Sequence, residues 1–369
     1  MSTFVTYALP GIPYGCVFAI MAVGLVLTYR ATGVFNLAFG AQAYVSAYVF
    51  DRLVVAAHWP KWAAFVVSVV ILAPALGLLF DRALFRFIPS ASTTAKVISA
   101  LGLLIAIPQT MAIIFGSKQP LAPPALILDP DHVYFRVGSY PVNGLELAAT
   151  IITVAVVVAL GLLFRFTTVG LRMRAVVESR RLVQLEGINA GWVAAGAWML
   201  SSLLAGLAGV LLSPLYAQMD PLSFTTLVVA AIAAAAFGAL RSIPLALVGG
   251  IVLGVSQSVL GGYLPAGTTL ANGLRPAFPF VVLVILLLVH PGMRKLEAST
   301  DPLAGCDPPL PPPTTETRDP RLDRLMRFGF PVFVAAFLLS SITWVPANWV
   351  FTFATGLVLS VVFLSFTML

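Results

Sequence analysis

Four apolar runs constrain this chain more than any other feature: Ala63–Phe80, Leu147–Leu163, Pro244–Leu260 and Phe278–Val289. A helix that crosses a bilayer needs roughly 20 largely apolar residues, usually 17 to 25. The runs are continuous and do not alternate apolar with polar residues, which argues against a β-barrel. Only 9% of the 369 residues are charged and 60% are hydrophobic, whereas a soluble domain carries about 25% charged residues. Hydrocarbon must therefore be the solvent for most of the surface. Glycine and proline recur within the runs, as membrane helices tolerate when neighbours re-satisfy the backbone. The expected fold class is an all-α polytopic membrane protein.

Apolar windows place nine helices near 9–29, 37–57, 62–80, 97–116, 145–164, 192–216, 224–240, 243–263 and 276–291, with two more near 329–346 and 349–369. Charge then tests the alternation of sides. With the N-terminus outside, the inner connections hold Arg30, Arg82, Arg86, Lys96, Arg165, Arg172, Arg174, Arg180, Arg181, Arg241, Arg294, Lys295, Arg318, Arg321, Arg324 and Arg327. Arg52, Lys61, Lys118, Arg136 and Arg275 fall outside. Basic residues gather on the cytoplasmic side, so this imbalance selects an external N-terminus. The same rule accounts for the net charge of +7; no basic patch carries interleaved aromatics, and nucleic acid is not an expected partner.

Three connections stand out. Ser117–Gly144 is external, Pro-rich and aromatic, and is expected to cap the outer mouth. Phe166–Gly191 is internal, strongly basic and written with helical content. Residues 294–327 form a Pro-rich linker, extended and unable to build a core. The expected organisation is a module of about nine transmembrane helices over 1–293, the cytoplasmic linker 294–327, and the first two helices of a second module, cut short, over 328–369. Met1–Pro10 lacks the basic n-region of a secretory signal, so the first helix is expected to be retained.

The chemistry-bearing residues are sparse. Lys61, Lys96, Lys118 and Lys295 lie outside any phosphate-binding-loop frame, so the chain is not expected to hydrolyse ATP by itself. His58, His132 and His290 are scattered, and the Gly254-Val255-Ser256-Gln257 fragment lacks the histidine an intramembrane serine protease needs. Cys16 and Cys306 make neither a disulfide framework nor a metal site. No catalytic residue, metal ligand or cofactor is expected. The acidic residues fall in loops or towards helix ends, Asp51 and Glu146 being the deepest. Ion-coupled carriers usually keep a titratable group within the membrane; its absence here suggests that energy comes from another subunit. A carrier working alone stays open as the alternative, since backbone carbonyls at broken helices also bind ions.

Three motifs give the chain a resemblance. Gly33-Val34-Phe35-Asn36-Leu37-Ala38-Phe39-Gly40 follows the run Gly24–Tyr29; Val169-Gly170-Leu171-Arg172-Met173-Arg174-Ala175 leads to Leu185-Glu186-Gly187-Ile188-Asn189; and Phe237-Gly238-Ala239-Leu240-Arg241-Ser242-Ile243-Pro244 precedes Gly249, Gly250 and Gly254. Over about residues 1–297 these resemble the permeases of the branched-chain amino acid ABC transporter family. The match departs from the family at Phe39, where histidine is frequent, and at Arg241, where a smaller residue is common. Residues 344–369 look like the opening helices of the companion permease, which implies a fusion of two pore subunits.

The resemblance implies the transmembrane fold of vitamin-B12-type importers in a bacterial inner membrane. It also implies two ATPase subunits inside, a second permease half and an external solute-binding protein. It assigns the ATPase-coupling segment to Arg172, Arg174, Glu178, Arg180, Arg181, Leu182, Leu185, Glu186 and Gly187, with Val176, Leu182, Val183 and Leu185 as apolar anchors. The bland reading of that stretch is a solvated amphipathic loop. Asn36, Gln42, Gln109 and Gln257 are candidate path residues; each equally suits a bond between helices, and Asn36 suits an N-cap. Pro108 and Pro244 are candidate bends. Leucine-type amino acids, urea or short amides, and more distantly sugars, remain open as solutes.

Overall fold

The structure, a computed structural model, describes residues 3–289 except 86–92, 117–119, 121–122, 128–131, 138–139, 179, 216–217, 241 and 266–267. The linker 294–327 and the two helices expected after it lie outside the described residues, as does Arg241. The described helices are α1 (Thr3–Ala8), α2 (Gly11–Thr32), α3 (Phe39–Asp51), α4 (Lys61–Phe65), α5 (Ala73–Ala83), α6 (Thr93–Phe115), α7 (Gly144–Phe166), α8 (Thr168–Glu178), α9 (Arg180–Leu185), α10 (Ala190–Leu212), α11 (Pro221–Ala236), α12 (Ile243–Tyr263) and α13 (Thr269–Val289). A π-helical stretch, Val66–Leu72, joins α4 to α5, and another, Arg52–Ala56, extends α3. Among the described residues, six helical segments are long and apolar enough to cross a membrane. α11 and the apolar part of α13 are shorter, and α3 gains its length from the π turn.

Burial sorts these helices into an inner and an outer layer. The most apolar windows of the α1–α2 rod and of α10 are 89% and 78% buried, against 33% or less for the other four long helices. A helix that is apolar on every side belongs inside, and α2 is such a helix. α10, α11 and α12 surround it. Close contact comes from small residues, because lipid tails are as apolar as leucine and cannot drive helices together. A Cβ built on Gly254 of α12 would lie 2.2 Å from the Gly15 backbone nitrogen of α2. The two backbones therefore touch. Trp198 of α10 is fully buried and stacks on Phe85 with ring centroids 4.5 Å apart.

Three details differ from the sequence expectation. The loop over 117–144 contains an antiparallel hairpin, β1 (Val133–Val137) with β2 (Tyr140–Asn143), paired Val137 to Tyr140 and Val133 to Asn143. Its alternating Val-Tyr-Phe and Tyr-Pro-Val content is strand-like, yet the membrane helices around it masked that signal. The hairpin feeds directly into α7: the Asn143 N–H donates to the Glu146 carboxylate over 3.3 Å, and the Tyr140 hydroxyl donates to the same group. Burial, then the Glu146 contact, pushes the Tyr140 hydroxyl above its ordinary pKa. Second, Pro244 sits in the first turn of α12, where its missing N–H costs nothing, so it bends no helix. Third, α13 begins at Thr269 and runs through Pro276 and Pro279.

Candidate functional site

The basic connection between α7 and α10 folds as two short helices, and its sequence explains how. Thr167 leaves the helical conformation after α7. Its hydroxyl donates to the Leu163 carbonyl over 2.6 Å and accepts from the Gly170 N–H over 3.1 Å, which starts α8. A Cβ on Gly170 would fall 2.4 Å from the Leu163 oxygen and 2.5 Å from the Phe164 Cα. Glycine is what lets α8 fold back on the end of α7. α8 then has two faces. Met173 packs on Leu27, Ala31 and Ala197, and Val176 packs with Val183 and Ala190. Leu171, Arg172 and Arg174 are exposed.

The Gly-Ile-Asn triplet fixes the other end. Gly187 has φ 76°; its N–H donates to Gln184 and the Ile188 N–H to Val183, both over 3.1 Å. These paired bonds form a Schellman motif, completed by an apolar contact across the turn, which Ile188 and Val183 supply. The Asn189 side chain then accepts from the N–H groups of Gly191 and Trp192 over 3.0 and 3.3 Å, capping α10. One triplet ends α9, clamps it and starts the buried helix α10.

Outward the segment presents Leu185, 78% exposed, with Glu186 and Gly187 beside it. Trp192 is exposed nearby, with the Arg82 guanidinium 4.0 Å over its ring. Val176 and Val183, expected as anchors for a partner, are buried instead, because they hold α8 and α9 to the bundle. Among the described residues of α8 and α9, Val169, Leu171 and Leu185 are apolar and face out. The side chains of Glu178, Arg180, Arg181 and Leu182 lie outside the described residues.

The four path candidates do not converge. α2 ends at Gly33, whose N–H donates to Tyr29 over 2.7 Å. The chain then runs without regular helix to Ala38, enclosing Val34, Asn36 and Ala38. Non-helical backbone at membrane depth survives only where protein covers it or where it lines a water-filled cavity. Asn36 and Gln42 are fully buried, and the Asn36 Nδ2 donates to the Gln42 Oε1 over 3.2 Å. Ala38 takes the N-cap position of α3, so Asn36 bonds to Gln42 rather than capping that helix. Gln109 is exposed on α6. Gln257 lines a separate cavity of about 560 Å³ with Tyr7, Tyr14, Thr226, Ser258 and Pro276.

Sequence reasoning missed a set of buried hydroxyls. Ser46, Ser201 and Ser202 are fully buried, and their oxygens make no hydrogen bond among the described residues. A Cβ on Gly206 of α10 would meet Ser46, and one on Gly77 of α5 would meet Ser202. Serines scattered through apolar helices gave no signal in the sequence that they would be buried.

Residues 7–289 match the family model described as branched-chain amino acid transport system / permease component. The high-affinity branched-chain amino acid transport system permease protein LivH of Escherichia coli is 27% identical over 293 residues, covering 76% of this chain and 92% of that protein. A probable branched-chain amino acid transport permease protein LivH of Methanocaldococcus jannaschii is 30% identical over 288 residues, covering 75% and 88%. Among solved structures, PsaBC from Streptococcus pneumoniae in complex with Fab aligns over 79% of this chain and 94% of that one, at 15% identity and a TM-score of 0.45.

Proposed function

The chain belongs to the branched-chain amino acid transport system permease family, and from that premise we propose that it is the pore-side subunit of an ATP-binding-cassette importer. Its solutes are branched-chain or other hydrophobic amino acids. Two ATPase subunits dock on its inner end, a second permease half completes the pore, and an external binding protein delivers solute. The N-terminus faces outside, and the α8–α9 arm faces the ATPases.

The observation that carries this reading is the way the arm is built into the bundle. A push from an ATPase must reach the pore as rigid-body motion, and a floppy loop would absorb it. Here α9 passes through a clamped Gly-Ile turn into a capped α10, and α10 packs on α2, α3 and α5. Leu171, exposed beside Arg172, and Leu185, exposed beside Glu186, suit a groove in a partner. Solute passes by alternating access along a mostly apolar wall with amide and hydroxyl dipoles, and selectivity resides in the binding protein.

Uptake of radiolabelled leucine into proteoliposomes holding all the subunits tests this. The expected outcome is concentrative uptake that requires ATP hydrolysis and is lost in Leu185→Asp with the subunits still inserted. Concentrative uptake by the chain without any ATPase overturns the reading. Competition by unlabelled urea or acetamide, without competition by isoleucine, reassigns the solute class.

A further inference from the structure

A cavity of about 540 Å³ opens between α2, α7, α8 and α12, at the end of the bundle that carries the α8–α9 arm. Its walls include Val23, Leu27, Leu160, Phe164 and Leu247, and its charged lining residues are Arg30 and Arg174. Arg30 is half-buried and Arg174 exposed. Apolar walls with two arginines in the lining fit an amphiphile, a long apolar tail joined to an anionic head.

We propose that this groove binds one acyl chain of an anionic phospholipid, with the phosphate against Arg30 and Arg174. The apolar walls take the tail. Charge selects the head: basic pockets between transmembrane helices bind acidic headgroups, and guanidinium groups pair with phosphate through paired hydrogen bonds. Because Met173 and Arg174 belong to α8 and line the groove, the bound lipid packs between the arm and the bundle. The inference is independent of which solute is carried.

Thermal unfolding of the purified full chain in detergent, titrated with dioleoyl-phosphatidylglycerol, tests it. The expected result is saturable stabilisation that dioleoyl-phosphatidylcholine does not reproduce. Arg30→Gln with Arg174→Gln should weaken apparent affinity by about fivefold per arginine, with unfolding in phosphatidylcholine unchanged. A second variant guards against misfolding. A Cβ at Gly161, on the cavity wall, meets nothing within 4 Å, so Gly161→Phe fills the groove from its edge and should abolish the phosphatidylglycerol effect. Equal stabilisation by both lipids overturns the proposal, as does an undiminished effect in either variant. An equal effect from water-soluble glycerophosphoglycerol also overturns it, showing a phosphate site that does not use the groove.

Discussion

At φ 76°, Gly187 occupies a conformation that costs an L side chain about 1–2 kcal/mol and that proline, locked near −65°, cannot adopt. Gly187→Ala should therefore leave uptake measurable while lowering thermal stability by about that amount. Gly187→Pro should insert normally but hydrolyse ATP without importing solute; wild-type uptake in that variant would mean the turn transmits nothing. Asn36 and Gln42 pose a different residue-scale question. Each leaves one buried polar atom without a hydrogen bond among the described residues, and deleting one partner of such a pair costs about 1–3 kcal/mol. Gln42→Leu should destabilise the protein by that much, and adding Asn36→Leu should recover part of the loss, as chemical denaturation of the two variants would measure. Strictly additive losses would deny the bond between them. The Gly187-Ile188-Asn189 triplet stood out in the sequence as a motif, although the cap that Asn189 makes was not read from it. The Asn36–Gln42 pair was not legible there, because an asparagine before a helix reads as a cap until the fold shows which residue it meets.

The helices themselves were readable from length and hydropathy, since bilayer thickness fixes both. What escaped was set by short-range exceptions. The hairpin β1–β2 is brief and lies among much stronger signals. α13 starts ahead of its two prolines, where the sequence suggested a boundary. Of the four apolar anchors expected on the arm, Val176 and Val183 went to the bundle and Leu185 faces out, because a pattern cannot say which face is already occupied; the Leu182 side chain lies outside the described residues. At the α2–α12 contact small residues let two backbones meet. With a Cβ at Gly254 only 2.2 Å from Gly15, Gly254→Val must push two backbones apart. We expect a loss of about 1–3 kcal/mol or more, read as a lower midpoint of thermal unfolding, whereas Gly102→Ala on α6, where a Cβ meets nothing within 4 Å, should change little.

For the whole molecule, the reading joins a membrane-embedded helix bundle to a power source on another chain. The bundle's two most buried long helices, α2 and α10, are also the ones the arm touches through α8 and through the Asn189 cap. Under the proposed function, a force applied to α9 would reach these two helices as well as α7, on which α8 also packs. This works only if the arm faces the compartment that holds ATP. Glu186 is exposed on it, so Glu186→Cys, placed in a Cys16→Ser, Cys306→Ser background and probed with a membrane-impermeant maleimide in sealed vesicles of both orientations, measures that directly. Labelling from the cytoplasmic face alone is the predicted result; labelling from the outer face of intact cells would contradict it.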